Sequence, residues 1–344
     1  MTSTLTIPLN GVSSKQKNHK FQNLITNIVG ILLIIAIVLL VVNPTRYISS
    51  ILCGTNLFYN SVMPSLLPFF FISKIVFGIG SLDGFINALK KPICKIFKVP
   101  SITSYVLIMS ILCGYPVGAK LIGELEKSNT ITKYDAKRMI VLCSTSGPIF
   151  VIGSVGGALF HSVKLGVAIF ICHILGCLIA GFLLSRKFPQ IELSSDKYKT
   201  QKSENILSQS MNSTIISILT VAIYVSIFYM FIDMAYDLKI LGLASTLLEK
   251  LFGLVNINPI FARGISSGFV EMTRGIAEIA TTASDKLKLI ISTCLISFGG
   301  VSIFIQTLTF LSETKIKALY LFKIKCLQTL ISGLISLCVA FIFF

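Results

Sequence analysis

Apolar and polar positions are not evenly mixed along this chain. Apolar stretches fall at about 22–42, 47–61, 62–80, 101–119, 139–160, 163–185, 206–232, 238–255, 256–275, 287–311 and 318–343, with short polar segments between them. Runs of about 20 mostly apolar residues are long enough to cross a bilayer as helices. They are continuous rather than alternating, which excludes a transmembrane β-barrel. The pattern predicts an all-α polytopic membrane protein. The stretch 24–42 is longer than a signal-peptide core and runs into Asn43-Pro44, with no small-residue cleavage signature. It reads as a retained first transmembrane helix behind a polar tail, 1–21, expected to be disordered and cytoplasmic.

Composition narrows the classes further. The 344 residues are 54% hydrophobic and 13% charged, about half the charged fraction of a soluble domain, so a soluble enzyme is excluded. A net charge of +16 invites a nucleic-acid reading, but its placement argues otherwise. The basic residues cluster between apolar runs: Lys15, Lys17 and Lys20; Lys90, Lys91, Lys95 and Lys98; then 120–138, 186–202 and 315–325. Cytoplasmic loops collect Lys and Arg in this way, so the predicted partner of the charge is the lipid bilayer. Seven of the nine cysteines, Cys53, Cys113, Cys143, Cys172, Cys177, Cys294 and Cys338, lie in or beside apolar runs, and there is no CxxC pair. His161 and His173 lack partners at metal-ligand spacing. Neither a disulfide framework, a metal centre nor a cofactor is indicated.

Placing 1–21, 81–100, 120–138, 186–205 and 312–325 on the cytoplasmic side accounts for 21 of the 30 Lys and Arg residues. The segment 101–119 then begins and ends on the same side, so it is predicted to be re-entrant. Such backbone is tolerated at membrane depth only against protein or a wet cavity. Its end, Cys113-Gly114-Tyr115-Pro116-Val117-Gly118-Ala119-Lys120, holds two glycines and a proline that a helix interior disfavours. It is followed by Ser144-Thr145-Ser146-Gly147-Pro148. A second block repeats the arrangement: Ser267-Gly268-Phe269-Val270-Glu271-Met272-Thr273-Arg274, then Ser297-Phe298-Gly299-Gly300-Val301-Ser302. Gly114 to Gly147 spans 33 positions and Gly268 to Gly300 spans 32. By parity the second block runs in the opposite direction, so the fold is predicted to be an inverted repeat with re-entrant hairpins and broken transmembrane helices. Matched breaks in two inverted halves point to a secondary transporter with a site near the midplane, because backbone groups freed there need a polar partner. Helix packing alone is the competing explanation.

Single residues leave some choices open. Glu271 stands inside an apolar stretch, where a charge costs roughly 2.5–3.5 kcal/mol on insertion scales. It reads as a ligand for substrate or a coupling ion, or as a structural partner of Arg274 three positions on. Lys120 and Arg274 occupy equivalent places, and either suits a carboxylate, although Lys120 also suits snorkelling to the interface. Ser144, Thr145, Ser146, Ser297 and Ser302 offer hydroxyls at the breaks, as binding groups or as caps. Gln306 is a weaker candidate, Lys74 reads as snorkelling, and Asp233 and Asp237 as solvated at a membrane edge. No HExxH, no nucleophilic serine motif and only three histidines occur, so the chain is not expected to be an enzyme.

From about residue 50 the motifs resemble sporulation integral membrane proteins of the YlbJ type, which contain the nucleoside-recognition (Gate) domain. The resemblance is carried by Leu67-Pro68-Phe69-Phe70, by Gly114 to Lys120 as quoted, by Ser146-Gly147-Pro148 and by Gly268 to Thr273. Ser267 faces Cys113 in the pairing of blocks, and the break at 297–300 lacks a counterpart of Pro148. The resemblance implies a fold like concentrative nucleoside transporters, a link to endospore formation, dipicolinate as cargo, and a homo-oligomer. No GxxxxGK[ST] occurs, so the GTPase-fused iron-transporter relatives fit poorly. On this reading 22–100 holds scaffold helices, 101–185 the first Gate-like repeat, 186–205 a basic cytoplasmic linker and 206–255 further scaffold helices. The second, inverted repeat is 256–311, and 312–344 is a C-terminal transmembrane helix. The expected activity is transport of a small anionic aromatic solute, coupled to protons or sodium, in the cell or outer forespore membrane. Tyr115 or Phe269 would stack on its ring. A nucleoside or other small solute, and a non-transporting assembly role, are the alternatives. The expected substrate contacts are Gly114, Tyr115, Pro116, Gly118, Lys120, Ser144, Thr145, Ser146, Gly147, Ser267, Gly268, Phe269, Glu271, Thr273, Arg274, Ser297, Gly299, Gly300 and Ser302.

Overall fold

The computed structural model describes residues 27–81, 83–185, 205–312, 314 and 316–344. The expected tail 1–21, nearly all of the linker 186–205 and Lys315 lie outside the described residues. Every regular element among those described is a helix. The first, α1 (Asn27–Val42), is apolar on all sides and meets α2 (Pro44–Leu57) at a bend of 107°. Pro44 takes the first position of α2, where its missing N–H removes no helix hydrogen bond. A π-helical turn, Phe58–Val62, carries α2 directly into α3 (Met63–Gly78). The apolar stretches expected separately at 47–61 and 62–80 are therefore one continuous rod, because no residue between them stops the helix.

Next comes α4 (Asp83–Phe97), an amphipathic helix that buries Ile86, Ile93, Cys94 and Phe97 while Lys91 and Lys95 are exposed. A basic, one-sided helix suits a membrane surface. The first hairpin is α5 (Thr103–Cys113) and α6 (Val117–Lys127), followed by α7 (Lys133–Leu142), an open stretch at 143–148, a π-helix (Ile149–Leu159) and α8 (Val163–Ser185). The second half gives α9 (Ile206–Asp237), α10 (Ile240–Gly253), α11 (Ile260–Val270), α12 (Met272–Ala280), α13 (Asp285–Phe298), α14 (Gly300–Phe310) and α15 (Ala318–Phe343). One order of parts thus occurs twice. A long rod and a shorter helix precede two short helices meeting at a break, then a helix interrupted at its middle, then a long terminal helix.

Side-chain contacts fix the relative direction of the two copies. Arg46 at the start of the first rod pairs with Asp237 at the end of α9, and Lys74 near its end reaches Ser213 near the start of α9. Likewise Lys164 at the start of α8 approaches the Phe343 carbonyl at the end of α15, while Gly176 abuts Ser332 midway. Equivalent elements run antiparallel, so the repeat is inverted. Large apolar side chains stay exposed on the outer faces of α9, α10 and α15, among them Leu219, Leu243 and Leu334. In hydrocarbon they need no cover, and small residues mediate helix contact instead, as where Gly156 meets Gly166.

Two boundary expectations need correction. The polar segment 120–138 is mostly helix, since α6 runs to Lys127 and a Thr132–Asp135 capping box starts α7. The segment 312–325 is not a loop throughout, because α15 begins at Ala318 and carries Lys325 fully buried.

Candidate functional site

Both stretches that had to be broken for a midplane site to exist are broken. α5 stops at Gly114, whose φ of +71° favours glycine, and Pro116 follows across a cis peptide bond. α7 stops before the open stretch Ser144-Thr145-Ser146-Gly147, and the π-helix starts behind Pro148. In the second half α11 stops at Glu271, which has extended backbone and caps α12 by accepting the Arg274 amide at 2.8 Å. α13 stops at Gly299 in the left-handed conformation and α14 starts at Gly300. In each half the hairpin break lies on the helix break. A Cβ on Gly114 would stand 2.5 Å from the Gly147 nitrogen, and one on Gly300 would stand 3.1 Å from the carbonyls of Gly268 and Val270.

The N-terminal ends of the π-helix, α12 and α14, together with the C-terminal end of α5 and Tyr115, line one small cavity of about 50 Å³. Its polar wall is Ser146, Glu271, Thr273, Ser302 and Gln306, and its apolar wall includes Phe70, Phe150 and Val225. Glu271 is buried, with Oε1 accepting from Thr273 Oγ1 at 3.1 Å. The Oε1 of Gln306 is buried and unbonded, so it is available to a guest. A second, half-open vestibule of about 310 Å³ lies between α3, α5, α6 and the first half of α9. It is lined by Lys74, Lys120, Glu124, Tyr105 and the hydroxyl residues Ser210, Ser213 and Ser217, and it reaches Pro116 at the hairpin tip.

Behind the cavity lies a polar knot that joins the halves. Lys325 Nζ donates to Tyr115 Oη at 2.8 Å, to the Ser144 carbonyl at 3.0 Å and to the Ser297 carbonyl at 3.5 Å. Tyr115 Oη donates to the Ile296 carbonyl at 3.2 Å. His173 of α8 accepts the Ser146 amide on Nε2 and meets Ser297 Oγ through Nδ1, both at 2.9 Å.

Of the residues expected from sequence, Gly114, Tyr115, Ser146, Gly147, Glu271, Thr273 and Ser302 line the cavity, and Pro116 and Lys120 line the vestibule. Ser144 and Ser297 belong to the Lys325 knot. Thr145 bonds Ser110, Ser267 bonds Tyr236, and Gly118 and Gly268 serve close packing against Cys143 and Leu295. Gly299 makes the second-half break and stands against Ile303. Phe269 does not face the cavity: it is 48% exposed and stacked on Phe298 at 5.0 Å. Arg274 also turns away. Its guanidinium binds Asp233 Oδ1, Glu278 Oε1 and the Tyr229 carbonyl and lies over the Tyr229 ring. Glu271 therefore takes the Arg274 backbone amide and not its charge. Asp233 is ion-paired rather than solvated, and Asp237 pairs with Arg46 and Tyr47. Lys74 does not snorkel outwards but lines the vestibule. Sequence reasoning missed Lys325 and His173 as central groups.

These features define an all-α, polytopic integral membrane protein of two antiparallel repeats closed around buried helix breaks. Over 298 residues the chain is 28% identical to the sporulation integral membrane protein YlbJ of Bacillus subtilis (strain 168), covering 80% of this chain and 73% of that protein. The YlbJ-type likeness read from the motifs thus extends over most of the chain. Neither a protein-family model nor a solved structure matches, so the Gate-domain likeness rests on the motifs alone.

Proposed function

We propose that this chain is an alternating-access secondary transporter for a small anionic aromatic solute, acting in sporulation, with dipicolinate as the cargo. The observation that carries the reading is the convergence of three helix N-termini, that of the π-helix from one half and those of α12 and α14 from the antiparallel half, on one small cavity. Helix N-termini carry partial positive charge and unbonded N–H groups, which at membrane depth call for an anionic guest. Lys74 and Lys120 in the vestibule add positive charge on the approach, against Glu124 alone. With the basic clusters on the cytoplasmic side, the vestibule opens to the cytoplasm. A cavity of about 50 Å³ holds water and no larger solute, so the guest enters when the α5–α6 hairpin moves away from the α7 break. Glu271 is the proton carrier of this scheme. The sporulation role is taken from the relative's description.

The test is uptake of labelled dipicolinate, with nucleosides as a parallel arm, into vesicles holding the purified chain under a proton or sodium gradient. Saturable dipicolinate uptake is expected. Glu271→Gln keeps an oxygen to cap α12, so its melting temperature is expected to stay near that of the unsubstituted protein while uptake is abolished. Lys74→Ala and Lys120→Ala should each raise the half-saturating concentration by about tenfold, the loss of one charge-assisted contact. Nucleoside uptake alone would replace the cargo. No flux of either, together with no thermal stabilisation by millimolar solute, would leave a non-transporting assembly protein.

A further inference from the structure

Lys325 presents a donor problem with one solution. Its three partners are the Ser144 and Ser297 carbonyls and Tyr115 Oη. Carbonyls only accept, and the phenol has given its own proton to the Ile296 carbonyl. All three partners are therefore acceptors. An ammonium has three N–H donors and no lone pair, whereas a neutral amine would aim a lone pair at one of these oxygens. The geometry holds a cation. Its Nζ also lies 4.3 Å from the centre of the Tyr115 ring, in cation–π range.

The surroundings supply no negative side chain. Among the described residues no acidic group pairs with Lys325, and the nearby titratable groups are Tyr115, His173 and Cys177. The His173 hydrogen bonds place its single proton on Nδ1, since Nε2 accepts the Ser146 amide. The ring is neutral and adds no second cation. Negative potential comes instead from backbone. Ser297 lies in the last turn of α13 and Ser144 lies just past α7, and helix C-termini carry partial negative charge. The broken helices thus send their N-termini to the cavity and the carbonyls at their other ends to Lys325. Unwound carbonyls of this kind coordinate free monovalent ions in inverted-repeat transporters.

We propose that Lys325 is a tethered cation filling a monovalent-cation site between the two halves, so that removing its ammonium opens that site to a free monovalent ion. The native chain then binds no sodium or potassium there. This does not rest on the transport reading, and its test contains no solute.

The experiment is thermal melting of the full chain in detergent with ammonium, potassium or sodium chloride, each against choline chloride at equal ionic strength. The unsubstituted protein is expected to melt at one temperature in all four salts. Lys325→Ala, with the cage emptied, should melt lower in choline and rise by roughly 5 °C or more in 100 mM of at least one small cation. Lys325→Met, which fills the space without charge, should show no such rise. Should the alanine variant fail to fold, Lys325→Asn is read on the same salts with the same expectation. A cation-specific rise in the unsubstituted protein, the same rise in the methionine variant, or none in a folded alanine or asparagine variant overturns the assignment.

Discussion

Gly275→Val is expected to leave the second hairpin unable to close and the protein without a cooperative melt. A Cβ at Gly275 would stand 2.3 Å from the Gly264 carbonyl oxygen, 2.4 Å from the Gly268 Cα and 2.6 Å from the Gly268 nitrogen. All three atoms are backbone of α11, which cannot swing aside as a flexible side chain can. Overpacking a core usually costs 1–3 kcal/mol, and contacts this short against main chain place the cost at or above about 3 kcal/mol. The readouts are the yield of monodisperse protein and the melting curve in detergent. Gly242→Ala in α10 is the control, since a Cβ there meets nothing within 4 Å. It should gain about 0.5–1 kcal/mol, the usual helical difference between glycine and alanine. A normal melt for Gly275→Val would mean that α11 and α12 do not cross at this glycine contact.

Arg274→Ala is expected to be the most damaging change to a charged residue. It removes the shared partner of Asp233 and Glu278 and the donor to the Tyr229 carbonyl. The bonds to Tyr229 and Asp233 tie α12 to α9, the hairpin to the rod beside it, while the bond to Glu278 lies within α12. Stripping one member from a buried ion pair costs roughly 3–5 kcal/mol. Here the carboxylates are 23% and 20% exposed, so partial hydration lowers the expectation to about 2–4 kcal/mol. Arg274→Lys should fall between, because a point charge cannot serve three partners from one planar fork. Adding Asp233→Asn to Arg274→Ala should recover part of the loss, since the orphaned charge is then gone. The double-mutant cycle in melting free energy reads this directly. A strictly additive cycle would show that Asp233 and Arg274 do not interact.

The sequence exposed the breaks because their chemistry is local. Gly114, Pro116, Pro148, Gly299 and Gly300 cannot sit comfortably in a helix interior, and their spacings recur. Inversion was legible too, because basic residues between spans constrain which side each loop occupies. What stayed hidden depends on rotation about a helix and on distant partners. An aromatic beside a break says nothing about which side it faces, and Phe269 faces out. Asp233 and Arg274 meet across 41 positions, a pairing no local pattern encodes. Lys325 looked like the end of a basic loop because Lys315, Lys317 and Lys323 precede it. A signal was nonetheless present: Lys325, Gln328, Ser332 and Ser336 recur every three or four residues, and all four are buried. In a span meant for lipid, a stripe of small and polar residues marks the inward face, and a lysine on that stripe cannot be snorkelling. On α8 His173, Gly176, Cys177 and Ala180 form a similar stripe.

The Lys325 knot also bears on how the chain is made. Tyr115 and Lys325 are 210 positions apart, and the Ser144 carbonyl and Lys325 are 181 apart. At translation rates of 5–20 residues per second, the lysine follows the tyrosine by roughly ten to forty seconds. Throughout that interval the first half stands in the bilayer with its phenol and freed carbonyls lacking their final partners. Nascent chains at that stage should expose a wet seam to the membrane interior, and they are the species on which insertion machinery and quality-control proteases would act.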